Sequence, residues 1–173
     1  MNIEYLKPAI PLIEQWIDNY IDEHKNERKK VIDADFERLN HAFSNAILKN
    51  TYYVVVDNIQ TPPLEDFGLS ELSLFDHQTY SGITYKDTYF VIKNKAHIES
   101  LHFHEMIHVV QWHELGSEKF LLLYAAGLLQ CGYRNAPLEE IAYRLQQLFE
   151  QGKNLLNVEL LVKEHCRSLD RKN

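Results

Sequence analysis

Hydrophobic residues recur every three or four positions along most of the chain, and this spacing predicts a largely helical protein. The first apolar stripe begins near Pro8 and Pro11, which limit how early that helix can start. Gly116 and Gly132 interrupt later stripes where helix ends are expected. The predicted helices are 9–24, 32–48, a segment that contains 101–111 and stops at Gly116, 117–129, 135–152 and 154–168.

The middle of the chain is rich in β-branched and aromatic residues and predicts strands. A turn-rich segment around Pro62 and Pro63 separates the first strand from the others. Lys86 and Asp87 form the expected turn of a hairpin that leads to Asn94, the expected N-cap of the next helix. The predicted strands are 51–57, a short one near 72–75, and the hairpin pair 81–85 and 88–93.

Length and charge narrow the class of protein. The chain has 173 residues, which favours one domain, 1–173, and its formal net charge of −7 gives no electrostatic support to a nucleic-acid partner. It has no apolar run of 18 residues, and acidic residues near its start argue against a signal peptide. We therefore expect a cytoplasmic protein with no membrane partner, while the oligomeric state stays open.

Two features have an alternative interpretation. The helix 9–24 could lie on a membrane surface, but its acidic residues Asp18, Asp22 and Glu23 oppose anionic lipid, so we expect core packing. Cys131 and Cys166 have no metal-binding spacing. They are expected to be small buried side chains in a reducing compartment, with a single disulfide as the alternative.

The strongest chemical signal is the sequence His104-Glu105-x-x-His108. Residues four apart on a helix have Cβ atoms about 5–6 Å from each other, so both imidazoles can bind one metal ion. Glu105 points to a different side and can reach a water molecule on that ion, where it can accept a proton. Because the chain has nine His, a chance match is the alternative.

A catalytic zinc site usually has three protein ligands, so a third ligand is required. His97 and His102 lie off the ligand face, and His113 points away from His108 on a continuous helix. Glu139 shares a helix face with Ala142, whose small side chain allows another helix to approach closely, whereas Glu140 lies on a polar face. We therefore expect Glu139 as the third ligand; the alternative is that both glutamates only stabilise the helix N-terminus.

These residues resemble the gluzincin branch of zincin metallopeptidases, especially its small minigluzincin-like members. The resemblance covers residues 81–150 and rests on His104, Glu105 and His108, Gln111 behind them, and Glu139 with Ala142. One departure is Tyr143, since related members often have an acidic residue after this alanine to orient a ligand histidine.

The resemblance implies an α+β, zincin-like fold: a small antiparallel sheet packed on an active-site helix and a glutamate-bearing helix. The core would comprise 51–152, with extra N-terminal (1–50) and C-terminal (153–173) helical parts. It also implies a zinc-dependent hydrolase of peptide or protein substrates, with zinc on His104, His108 and Glu139 and with Glu105 as the general base.

The expected chemistry leaves two questions open. An oxyanion donor is needed, and Tyr133 or Tyr143 could supply it, while the strand 81–85 could bind an extended peptide if it forms the sheet edge. The alternatives to an enzyme are a catalytically inactive zinc-binding domain that acts as an interaction module and a helical protein with an accidental motif.

Overall fold

A computed structural model of the protein describes residues 4–73 and 80–171, and these residues form an α+β fold with a small mixed sheet. The α-helices are α1 (Ile10–Glu23), α2 (Glu37–Ala42), α3 (Asn45–Asn50), α4 (Ser70–Ser73), α5 (Glu99–Cys131), α6 (Pro137–Glu150) and α7 (Val158–Asp170). The strands are β1 (Lys29–Lys30), β2 (Tyr52–Val56), β3 (Gly82–Tyr85) and β4 (Thr88–Ile92). Short 3-10 helices span Glu4–Ala9, Val31–Asp33, Lys93–Lys95 and Tyr133–Asn135.

The sheet has the strand order β1-β2-β4-β3 and corrects the prediction of an antiparallel sheet. The hairpin β3–β4 is antiparallel and turns at Lys86, as predicted, but β2 pairs with β4 in parallel, with Val54 opposite Phe90. The alternation of apolar residues in a strand is the same for either direction of pairing, so it could not reveal the parallel pair.

The N-terminal part contains one confirmed helix and one that is divided. Helix α1 matches the predicted span, with Pro11 in its first turn. The predicted helix 32–48 is interrupted, because Phe43 and Ser44 are extended between α2 and α3. The Ser44 side chain accepts a hydrogen bond from the Ile47 N–H and so caps α3, a local bond that competes with a continuous helix.

Several predicted boundaries are wrong. Asn94 is not a cap, since it lies within a 3-10 helix and α5 begins after Ile98 without a side-chain cap. Of the predicted strand 72–75, Leu72 and Ser73 belong to α4, and the remainder lies outside the described residues. The last helix begins at Val158, after Asn157 in the left-handed conformation, rather than at residue 154.

Helix α5 is the element that positions the site. The prediction of two helices on either side of Gly116 is confirmed: α5 consists of two helical segments that meet at a kink at Gly116, where φ is 73° and ψ is 166° and the backbone is not helical. Such a positive φ strongly favours glycine. Before the kink, Phe103, Met106 and Ile107 are fully buried, which fixes the rotation of α5 about its axis. The helix packs on α6 and α7 and also contacts β3.

The remaining sequence expectations concern the membrane and the cysteines. No helix in the described part of the chain is long and apolar enough to cross a membrane. Both cysteines are free, so the alternative of a disulfide is wrong. Cys166 is buried, as expected, but Cys131 is exposed at the end of α5.

Candidate metal centre

Helices α5 and α6 bring together the three side chains predicted as ligands. His104 and His108 face each other across one turn of α5, with their Nε2 atoms 3.0 Å apart. Glu139, from the first turn of α6, places Oε2 3.4 Å from the His104 Nε2 and Oε1 3.5 Å from the His108 Nε2. All three residues are buried and are grouped closely enough to hold a metal ion. Ala142 is fully buried, which is consistent with the close approach of α6 to another helix that its small side chain predicted.

The two histidines are held in one tautomer by two glutamines. The Gln111 amide nitrogen donates to the Leu138 carbonyl at 2.9 Å, so its Oε1 faces the His108 Nδ1 at 2.7 Å. The Gln146 amide nitrogen donates to Glu150 at 3.0 Å, so its Oε1 faces the His104 Nδ1 at 3.0 Å. Because an amide oxygen can only accept, both Nδ1 atoms must carry a proton, and Nε2 is in each ring the atom that faces the centre and can bind a metal in exchange for a proton.

The geometry of the group suits a tetrahedral cation. With metal–nitrogen bonds of roughly 2.0–2.1 Å, neighbouring ligand atoms of a tetrahedron are about 3.3 Å apart. The two Nε2 atoms are 3.0 Å apart, and each lies near a different oxygen of Glu139: Oε2 is 3.4 Å from the His104 Nε2, and Oε1 is 3.5 Å from the His108 Nε2. In addition, the Glu139 Oε2 is a buried atom without a hydrogen-bond partner, an arrangement that a bound cation would relieve. The donor set of two imidazoles and one carboxylate therefore fits an ion such as zinc.

A tyrosine that the sequence did not single out holds the carboxylate. The Tyr124 hydroxyl, from the part of α5 beyond the kink, donates to the Glu139 Oε1 at 2.7 Å. This bond involves the oxygen that lies near His108 and leaves Oε2, near the His104 Nε2, without a hydrogen-bond partner. Burial and then the nearby Glu139 carboxylate raise the pKa of Tyr124 well above its usual value, so its hydroxyl is a donor.

Glu105 lies against the strand β3, apart from the ligands but in the same cavity. The Thr84 hydroxyl donates to its Oε2 at 2.7 Å. A Cβ atom on Gly82 would come within 2.3 Å of its Oε1, so only glycine leaves room for this carboxylate. Burial raises the pKa of Glu105 above its usual value, against the opposing effect of His104 and His108.

The centre attracts positive charge. Burial disfavours a charged His108, but the Glu139 carboxylate outweighs this and raises the pKa of His108 to about 9. Burial likewise disfavours a charged Glu139, but His108 and His104 lower the pKa of Glu139 far below its usual value. A proton between these groups occupies the position that a metal cation would take.

The other residues considered as ligands lie elsewhere. His97, His113 and Glu140 are exposed and take no part in the centre. His102 is fully buried in the core, where its Nδ1 is 2.8 Å from the Tyr89 hydroxyl and its Nε2 is 2.9 Å from the Ala96 carbonyl. These two hydrogen bonds explain why a histidine is buried at this position.

The two tyrosines considered as oxyanion donors lie near the centre. The Tyr143 ring packs on the His104 ring, with centroids 4.7 Å apart, and Tyr133 lines the cavity that contains the ligands. Burial is the main reason that the pKa of each tyrosine is raised, so both hydroxyls keep their protons.

Sequence reasoning did not assign Gln146 a role, although it lies two turns after Glu139 on the same helix face.

The chain matches no family model, no curated protein and no solved structure. The likeness to gluzincins therefore rests on the motif residues alone.

Proposed function

We propose that the protein is a zinc-dependent hydrolase that cleaves peptide bonds. The observation that carries this proposal is the convergence of two histidine Nε2 atoms and one carboxylate oxygen, with a second carboxylate, Glu105, in the same cavity. His104, His108 and Glu139 would hold the metal, and three protein ligands leave a coordination position for water or substrate. Zinc in such a site lowers the pKa of its bound water and polarises a substrate carbonyl.

Glu105 is the proposed general base and acid. It accepts the proton of the attacking water and later donates it to the amine of the leaving group. Its raised pKa suits both steps, since a base that binds a proton too weakly could not carry it between them. The Thr84 hydroxyl holds one oxygen of the carboxylate and thereby orients the other.

The strand β3 is the proposed binding edge for an extended peptide. It is an edge strand of the sheet. The Ile92 N–H donates to the Ser81 carbonyl, so the backbone of Ser81 faces β4, as does that of every second residue after it. Because pairing alternates along an antiparallel strand, the backbones of Gly82 and Thr84 face outward. Trp112 donates to the Thr84 carbonyl at 3.1 Å, so Gly82, beside Glu105, is the residue to which a substrate backbone would pair.

Tyr133 is the proposed oxyanion donor. It lines the cavity together with the ligands, and its hydroxyl is protonated at any ordinary pH, because burial raises its pKa. A neutral donor of this kind stabilises the negative charge that develops on the carbonyl oxygen during attack.

Zinc content and peptide digestion test the proposal. We expect the purified protein to bind one equivalent of zinc and the variant His108→Ala to bind none. We expect the zinc-loaded protein to cleave members of a mixed peptide library and Glu105→Gln to bind zinc but leave the library intact. Zinc binding without any cleavage would instead favour an interaction module, and lack of zinc in the wild type would favour an accidental motif.

A further inference from the structure

The cavity over the metal centre extends away from it into an apolar space. Part of its apolar lining comes from the N-terminal segment, through Leu6, Ile10 and Ile13, and part comes from α5 beyond its kink, through Phe120, Leu121 and Leu128. The candidate ligands His104, His108 and Glu139 line the same cavity, and the part that they line is its metal end. The apolar part therefore shares one cavity with the position where a substrate carbonyl would be attacked.

Charge is confined to the metal end of the cavity. Among the described residues that line it there is no lysine, arginine or aspartate, and its only carboxylates are Glu105 and Glu139. A charged group of a ligand would lose its hydration here without gaining a partner of opposite charge, which disfavours its binding. An apolar group would gain from leaving water.

We propose that this cavity is the specificity pocket of the enzyme, that it takes one uncharged aliphatic or aromatic group of the substrate, and that α1 forms its wall. This inference rests on the proposed function, since it places the group next to the bond that is cleaved. The residues of α1 lie outside the part of the chain that carries the metal motif, so they set which substrate binds without taking part in the chemistry.

The two faces of α1 provide a matched pair of variants. Ile13 lines the pocket and is 6% exposed, whereas Leu12, its neighbour on the same helix, is 46% exposed. Phenylalanine at position 13 would partly fill the pocket, whereas phenylalanine at position 12 would project into solvent. Comparison of Ile13→Phe with Leu12→Phe therefore separates the effect of pocket volume from that of an altered helix.

Binding is measured on the zinc-loaded, full-length Glu105→Gln protein with three probes that share a hydroxamate for the metal. These are the N-acetyl hydroxamates of leucine, glycine and aspartate. We expect the leucine compound to bind at least tenfold more tightly than the glycine compound, because its side chain enters the pocket, and the aspartate compound to gain nothing. Ile13→Phe should reduce the leucine advantage to less than threefold, and Leu12→Phe should leave it unchanged.

Equal binding of the leucine and glycine compounds, or tightest binding of the aspartate compound, overturns the proposed pocket whatever the activity of the enzyme.

If zinc does not bind, the uncharged dye N-phenyl-1-naphthylamine replaces the hydroxamates. Dye binding that is lost in Ile13→Phe but kept in Leu12→Phe supports the pocket, and no dye binding overturns it. Should Ile13→Phe fail to fold, Leu121→Phe, in the part of the lining that α5 provides, takes its place. A leucine preference in a protein that cleaves no peptide supports the pocket and contradicts only the proposed function.

Discussion

The cavity over the candidate metal centre has two ends that are built in different ways. At the metal end, most polar side chains have a defined hydrogen-bond partner, and the ligands come from facing turns of α5 and α6. At the other end, the walls are apolar side chains from α1 and from α5 beyond the kink, which are far apart in the sequence. The arrangement of the metal end depends on directional bonds and charge, whereas that of the apolar end depends only on the shape and burial of its side chains.

The difference teaches where a substitution should affect metal binding and where it should affect stability. Hydrogen bonds and ligand bonds are directional, so the loss of one atom at the metal end changes affinity or chemistry with little change in packing. Apolar burial is not directional, so truncation at the other end leaves a void and lowers the free energy of unfolding.

The largest effect is expected from Glu139→Gln. This change keeps the size of the side chain but removes the negative charge and the unpartnered Oε2 that faces His104. We expect zinc affinity to fall at least about 1,000-fold, equivalent to about 4 kcal/mol. Competition with a zinc chelator measures this affinity, and Glu140→Gln, on the exposed face of the same turn, is the matched control. Equal zinc affinity in Glu139→Gln and the wild type would remove Glu139 from the site.

Phe120→Ala should give the largest effect at the apolar end. The Phe120 ring is 5% exposed and stacks on Trp112, with centroids 4.1 Å apart. Its truncation should lower the free energy of unfolding by about 3–5 kcal/mol, whereas zinc affinity of the folded protein should stay within about threefold of the wild type, since no ligand loses a partner. Urea denaturation and zinc titration give the two quantities. Leu156→Ala, at a position 68% exposed, should change stability by less than about 0.5 kcal/mol.

The grouping of His104, His108 and Glu139 could be predicted from the sequence because its spacing is largely local. His104 and His108 are one turn apart, and the pattern around Ala142 selected Glu139 over Glu140. Gln146 was missed although it lies on the same face as Glu139, since nothing in a sequence shows which polar residue meets a distant ring. Tyr124 was missed because the pattern treats it as one more apolar position of α5.

The apolar end could not be predicted, because it depends on how distant elements pack. The apolar stripe of α1 indicates a buried face but not that this face lies over the ligands. The parallel pairing of β2 with β4 was missed for a similar reason, since Tyr52 to Val56 alternate in the same way whichever direction they pair.

Gly82→Ala should act on Glu105 alone and so separate catalysis from metal binding. A methyl group at this position would come within 2.3 Å of the Glu105 Oε1 and displace the carboxylate. We expect kcat to fall about 100-fold, the scale on which a misplaced catalytic group acts, with one equivalent of zinc still bound. Steady-state cleavage and zinc content measure the two effects. Ile83→Ala, on the next residue of β3, controls for a change in the strand, and full activity of Gly82→Ala would show that Glu105 need not occupy this position.

Tyr124→Phe should give the smallest effect and tests whether the hydroxyl orients the carboxylate. The variant keeps the ring, which stacks on Phe120, but removes the hydrogen bond to the Glu139 Oε1. Removal of a group that orients a ligand costs roughly 10–100-fold in metal affinity, and we expect the lower value because His104 and His108 keep their glutamine partners. Zinc competition measures the change, and Tyr53→Phe, at a ring beside His102, is the control. A loss of thermal stability in the metal-free protein with unchanged zinc affinity would instead make Tyr124 a packing residue, and the metal end would then be less directional than its hydrogen bonds indicate.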